Sequence, residues 1–399
     1  MTDVAERLEE LGASGLRRRL RLVEGAQGPR ILLDGEPVLL LCSNDYLGLA
    51  GEPRVREAAA EAALRWGAGA GASRLISGNM EPHVELERRL AAFKGYEAAL
   101  LFGSGYLANV GTIAALAGRG GVVFSDELNH ASIVDGCRLA RAETFVYRHG
   151  DVEHLAWGLD QAGGRAALIV SDGVFSMDGD VAPLEDLVRL ARTHDCRLMV
   201  DEAHATGALG PGGRGSVAAA GLSDEVDLVV GTLGKALGSY GAYACCDADL
   251  REYLLNTARS FIFSTALPPA APAAALAALE LLEAEPQRVR RLAANAAVLR
   301  QGLAAEGLDP GGGESQIVPL EVGDAGRTME LCERLLGRGV FAQGIRPPTV
   351  PPGSSRLRFS VMATHEPAEL REASRAAGEA ARELGVAPTN APAGPPVPA

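Results

Sequence analysis

Between Glu81 and Cys246 short apolar runs alternate with stretches of helical periodicity. That alternation restricts the chain to an α/β architecture on a mostly parallel sheet flanked by helices. Strands are expected over residues 98–102, 121–125, 166–171, 198–200, 226–230 and 241–246, and helices over 83–93, 109–117 and 184–193. Open parallel sheets bind ligands beyond the carboxyl ends of their strands. Residues at those ends are therefore the first candidates for chemistry.

Two ends stand out. In Arg197-Leu-Met-Val-Asp201-Glu-Ala-His204 an aspartate closes a buried strand, with His204 one turn further on. In Val229-Val-Gly-Thr-Leu-Gly-Lys235-Ala-Leu-Gly238 a lysine follows another strand, among small and apolar neighbours. Lys235 is the only lysine in well over a hundred residues that are rich in arginine. Desolvation lowers the pKa of such an amine and makes it a usable nucleophile or base. Each residue alone has a plainer reading, a solvated loop lysine and a helix N-cap. Together they suit pyridoxal phosphate (PLP), with the lysine in a Schiff base and the aspartate keeping the pyridinium nitrogen protonated.

A competing pattern lies upstream. Gly103-x-Gly105-x-x-Ala108 follows a strand and opens a helix, and Asp126 ends the next strand. That spacing matches a dinucleotide fingerprint and supports a nicotinamide-dependent dehydrogenase as the second reading. Either way, amides at a helix N-terminus hold a phosphate. A Walker A loop is excluded around Lys235, because Val229 and Ala236 stand where glycine and Ser/Thr belong.

The net charge of −13 and pI near 5.1 supply no basic field for nucleic acid or an anionic membrane. The six cysteines form no C-x-x-C pair, so they read as reduced thiols with neither a disulfide framework nor a metal site. No secretory signal is visible, and no run approaches the roughly 18 apolar residues of a membrane span. A cytoplasmic protein is expected.

Residues 4–22 have helical periodicity ending in Arg17-Arg18-Arg19, and 31–41 read as a hairpin around Asp34-Gly35. A helix is expected over 58–66. After Pro268-Pro269 come helices over 270–285 and 289–303, a strand over 317–322, a helix over 329–336 and strands over 340–342 and 356–361. The expected partition is an N-terminal arm (1–45), a large domain (46–265), a smaller C-terminal α+β domain (266–386) and a disordered Pro/Ala tail (387–399).

Several ordered segments carry a resemblance: Ser43-Asn-Asp-Tyr-Leu-Gly48, Gly71-Ala-Ser-Arg-Leu-Ile-Ser-Gly78, Asn129-His130-Ala-Ser, Phe175-Ser-Met-Asp-Gly-Asp180, Asp201-Glu-Ala-His204, Thr232-Leu-Gly-Lys235, Phe263-Ser-Thr-Ala-Leu-Pro-Pro269 and Ile345-Arg-Pro-Pro-Thr349. From Arg17 to about Thr364 the sequence resembles the α-oxoamine synthases of PLP fold type I. Within them it is most similar to the branch that condenses L-alanine with a pimeloyl thioester in biotin biosynthesis.

The resemblance implies a seven-stranded sheet in the large domain and assigns roles. Lys235 carries PLP, Asp201 pairs with the pyridinium nitrogen, and His204 and Ser176 lie near the phenolic oxygen. His130 stacks on the ring, and Gly105, Tyr106 and Thr232 hold the phosphate. Ser264 and Thr265 reach the phosphate in a partner subunit, which implies a homodimer with shared sites. Asn44 and Arg358 bind the amino acid, and Arg17 and Thr349 the acyl substrate. Glycine-using members, glycine C-acetyltransferase and 5-aminolevulinate synthase, share the scaffold. One methyl group separates the two amino acids, worth about 1–3 kcal/mol in a pocket. Coenzyme A and an acyl carrier protein both stay open as the thiol carrier.

Overall fold

Seven short strands build the central sheet: β1 (Ala98–Phe102), β2 (Val122–Asp126), β3 (Glu143–Tyr147), β4 (Ala167–Asp172), β5 (Arg197–Asp201), β6 (Leu228–Thr232) and β7 (Ala242–Cys246). The computed structural model describes residues 3–386, so the tail expected over 387–399 lies outside the described residues. Spatial order is β1-β7-β6-β5-β4-β2-β3. Neighbouring strands from β6 to β3 run parallel, and β7 lies antiparallel to both β6 and β1.

Both faces are covered, which is why the strands read as continuous apolar runs rather than alternating ones. Met199, Leu228 and Val230 enter one core with Phe102, Ile133 and Phe261. Leu198, Val200 and Val229 enter the other with Phe124, Phe175 and Leu187. Side chains alternate across each strand, so one run feeds two cores.

The expected strands and helices of this region are present with ends shifted by a few residues. Sequence patterning left several elements unassigned, including β3, the helix Ala131–Ala140, the helix Val152–Ala162 and the helix Ala248–Thr257. β3 is an edge strand with mostly accessible side chains, so its apolar signal is weak.

The chain divides into two compact units. The larger spans Asp45–Ser176 and Asp180–Arg290 and holds the seven-stranded sheet. The smaller comprises residues up to Asn44, Met177–Gly179 and those from Arg291 onward. This differs from the expected boundary at 265/266. The helix Ala270–Ala284 packs on the helices Pro53–Trp66 and Glu81–Lys94, so it belongs with the sheet.

The N-terminal arm is likewise no separate body. Its hairpin, Arg30–Leu33 and Glu36–Leu40, turns through Asp34 and Gly35 at positive φ and pairs in parallel with Val340–Phe341. The helix expected over 4–22 stops at Ala13. Gly15 takes φ 67°, and the three consecutive arginines beyond it follow a non-helical path. A three-stranded sheet, Ile317–Gly323, Ser355–Ser360 and Gln343–Ile345, completes this unit. No helix among the described residues is long and apolar enough to cross a membrane.

A buried ion pair pins the segment that follows β5. Lys94 Nζ lies 2.5 Å from Glu202 Oε2 and also donates to Thr206 Oγ1 and the Arg214 carbonyl. Glu202 Oε1 accepts from Ser216 Oγ at 2.6 Å and from the Val217 amide at 2.7 Å. Neither charged side chain reaches solvent, so removing one partner strands the other. Lys94→Met should therefore destabilise the fold by about 3–5 kcal/mol. Denaturant unfolding checks this, and an unchanged midpoint would show the pair to be structurally idle.

Candidate active site

The parallel strands β2, β4, β5 and β6 end in Asp126, Asp172, Asp201 and Thr232. Asp172 and Asp201 face each other in register, and both carboxylates are buried. Asp201 accepts from Asn109 Nδ2 at 2.5 Å and from the Ala203 amide at 2.8 Å. Burial and the neighbouring Asp201 raise Asp172 well above the usual carboxylate range, while the His130 amide and Lys235 pull the other way. Asn109, on the helix α1 (Gly105–Leu116), carried no signal that sequence patterning could read.

Lys235 sits in the loop between β6 and β7, half-buried beside the buried Leu233, Ala236 and Leu237. The loop is closed by amides of Leu233, Gly238 and Ser239 donating to carbonyls of Gly241, Lys235 and Leu233. Gly238 takes φ 59°, and a Cβ there would meet the Ala50 amide nitrogen at 2.4 Å. Only glycine fits that turn and that contact.

Lys235 Nζ lies 2.7 Å from His204 Nε2, and His204 Nδ1 lies 2.6 Å from the hydroxyl of the fully buried Tyr46. The sequence placed His204 after the Asp201 strand; its contacts with Lys235 and with Tyr46 are findings of the structure. Tyr46 figured in the sequence only as part of a motif.

The phosphate-binding expectation falls on the N-terminus of α1. Ser104 caps this helix, its side chain accepting from the Leu107 amide. The amides of Gly105 and Tyr106 make no hydrogen bond to other described residues. A Cβ on Gly105 would lie 4.0 Å from Thr232 Cβ, so helix terminus and strand end meet without a side chain between them. These two amides, the buried Asp201 and the Lys235 amine fit PLP: anion sites for a phosphate, a carboxylate for a ring nitrogen and an amine for an aldehyde. The Thr232 hydroxyl beside them donates to the Gly241 carbonyl at 3.1 Å and would have to turn to meet a phosphate.

His130 caps the helix α2 (Ala131–Ala140), and its amide donates to Asp172 Oδ2 at 2.9 Å. Ser176 is buried in the turn after β4. Ser264 and Thr265 line a different, small cavity with Arg74, His83 and Phe261, and Thr265 bridges to Ser73. Within the smaller unit, the Arg358 guanidinium donates to Asn44 Oδ1 at 3.3 and 3.4 Å. Arg17 and Thr349 line a cavity of about 830 Å³ with Arg18, Met329, Phe341 and Arg346.

The dinucleotide alternative does not survive the topology. Its two strands would be β1 and β2, which a mononucleotide-binding unit pairs side by side. Here four strands stand between them. Asp126 is instead committed to the Leu128 and Gly150 amides and to His149.

His149 bridges Asp126 at 3.0 Å and Asp180 at 2.8 Å, with its ring edge-on to Phe175. The clamp fixes the turn that carries Ser176. The two carboxylates raise His149 to about 10. A folded pKa above the unfolded value means that the clamp's stabilisation is complete below about pH 6.5 and is lost as pH rises toward 10. His149→Asn should cost about 1.5–3 kcal/mol at pH 6 and much less at pH 10. Unfolding midpoints of both proteins across that range decide it; a difference independent of pH would refute the charged clamp.

Comparisons with known proteins agree with this geometry. The family model for class I and II aminotransferases matches residues 36–376. The 8-amino-7-oxononanoate synthase of Citrifermentans bemidjiense is 56% identical, over 97% of this chain and 100% of that protein. Among solved structures, serine palmitoyltransferase from S. paucimobilis, with PLP and myriocin bound, superposes with a TM-score of 0.92 at 34% identity, covering 96% of this chain and 98% of that one. The 8-amino-7-oxononanoate synthase of Francisella tularensis gives 0.76 at 28% identity, over 87% and 98%. A full-length match at this identity, on a sheet with a lysine loop and a buried aspartate in these places, fixes the assignment: the chain belongs to the class I and II aminotransferase family, among its 8-amino-7-oxononanoate synthases.

Proposed function

We propose that this chain joins the α-carbon of L-alanine to the acyl carbon of a pimeloyl thioester. Carbon dioxide and the thiol carrier are released, and 8-amino-7-oxononanoate is formed for biotin synthesis. The observation that carries the reading is the Lys235–His204 contact of 2.7 Å in an apolar loop, beside strands whose end carries the buried Asp201.

PLP, when bound, supplies an electron sink for the negative charge that develops on the α-carbon. Lys235 holds it and, once its amine is free, takes the α-proton and later returns one. Such a base works best when its pKa lies near the operating pH. Asp201 supports the ring nitrogen, His204 and Ser176 the phenolic oxygen, and His130 the ring face. Gly105, Tyr106 and Thr232 hold the phosphate. Ser264 and Thr265 serve the site of a second copy of the chain, which makes the working form a homodimer.

Arg358 and Asn44 receive the amino-acid carboxylate, for which a guanidinium offers two parallel donors. Arg17 and Thr349 receive the acyl substrate. The thiol carrier is coenzyme A or an acyl carrier protein. A cytoplasmic setting is supported by six cysteines, none of them in a disulfide.

Incubation with pimeloyl-CoA and either L-alanine, glycine or L-serine, with products read by mass spectrometry, tests the substrate pair. A product from alanine alone, or at much the highest kcat/KM, is expected, and preference for glycine would move the chain to another synthase. Lys235→Ala should bring turnover to background in the same assay; near wild-type activity would sink the mechanism. Arg358→Lys keeps the charge but loses the fork. The KM for alanine should rise about 10–100-fold, as for loss of one charged hydrogen bond, and an unchanged KM would remove Arg358 from the amino-acid site.

A further inference from the structure

A continuous row of hydrogen bonds runs from the end of β5 to the N-terminus of α2, through two residues that the proposed chemistry leaves unused. Asn109 is buried on α1. Its Nδ2 donates to Asp201 Oδ2 at 2.5 Å and to Ser132 Oγ at 2.9 Å. The opposite orientation of the amide would press Oδ1 against a carboxylate oxygen, so the nitrogen must face Asp201.

Ser132 Oγ thus accepts from Asn109 and has one proton of its own. The Ser132 hydroxyl lies 2.7 Å from His130 Nδ1, and it is the donor there if Nδ1 is an acceptor, which the backbone contact shows. The Ser132 amide also donates to Nδ1, at 3.3 Å. A ring nitrogen that receives two donors has no room for a proton. The proton of the neutral imidazole therefore sits on Nε2.

We propose that Asn109 and Ser132 are positioning residues that lock His130 as the neutral Nε2–H tautomer and tie its orientation to that of Asp201. The charges around His130 make such a lock useful. Asp201 favours the imidazolium, and the buried Asp172 lies against the His130 amide. Desolvation and Lys235 oppose protonation. The two donors at Nδ1 side with them, because protonating Nδ1 would set a proton against both. His130 is then a single-site donor whose Nε2–H is available to cofactor or substrate. This step rests on the reading of His130 as a residue of the PLP site, but the tautomer itself can be read without PLP.

The test is the ¹⁵N spectrum of histidine-labelled protein freed of PLP, with the His130 signals assigned by their loss in His130→Asn. Wild type should show an unprotonated Nδ1 and a protonated Nε2 from pH 6 to 8. Ser132→Ala should bring the two nitrogens toward averaged shifts and raise the midpoint of titration. Asn109→Ala should do the same more weakly. With PLP restored, Ser132→Ala should keep cofactor content and lower kcat by about 10–100-fold, the scale on which orienting partners act, with little change in KM for alanine.

A protonated Nδ1 in wild type would overturn the proposal, even if neither variant folds. So would wild-type shifts in both variants. If the tautomer is as expected but turnover with PLP and alanine is absent, the lock stands and the functional reading falls.

Discussion

Two carboxylates set side by side out of water constrain everything around them. Asp172 and Asp201 end adjacent strands in register and are 3% and 4% exposed. Their repulsion must be answered locally, because solvent does not screen it. Asp201 is met by Asn109 and the Ala203 amide, and Asp172 by the His130 amide and a shift toward its protonated form. Each answer fixes a segment: α1, the turn that carries His204, and the start of α2. The geometry that suits a cationic ring nitrogen is thus the geometry that makes the strand ends tolerable.

The sequence holds only two lysines, and they live in opposite surroundings. Lys94 is enclosed by a carboxylate, a hydroxyl and a carbonyl, which commit its charge to the fold. Lys235 is half-buried among apolar neighbours and lies against His204. Every other strong cation is an arginine, whose guanidinium stays protonated and forms no Schiff base under ordinary conditions. Among the side chains an aldehyde therefore meets one amine that is not enclosed in a buried ion pair, so selectivity for Lys235 follows from composition as well as from position.

The strands with both faces buried were legible as apolar runs, and so were Asp201 and Lys235, because each directly follows such a run. The N-terminus of α1 was legible from Gly103 to Ala108, although its spacing fitted two cofactors equally. Sheet order decided between them, and order is a property of long-range pairing that no local pattern encodes. Asn109, Ser132 and Tyr46 were not legible as site residues. Asn109 meets Asp201 across 92 positions of sequence, and Tyr46 meets His204 across 158. A buried amide or phenol reads from sequence as helix or loop filler until its partner is in place. The unit boundary was missed for a related reason, since the helix Ala270–Ala284 looks alike whichever body it covers.

The lysine loop joins two antiparallel neighbours, with Thr232 opposite Ala242 and Gly231 opposite Tyr243. Ala242, Ala244 and Cys246 enter one core, while Tyr243 and Cys245 turn to the other side. One residue inserted between positions 233 and 241 would send each of them to the wrong face. Gly238, wedged against Ala50, leaves no slack to absorb it. An added residue must therefore appear either as a bulge that breaks the Gly238–Ala50 contact or as a slipped β7. The number of residues between strand end and reactive amine is thus set by the pairing of β6 with β7 and by the Gly238–Ala50 contact.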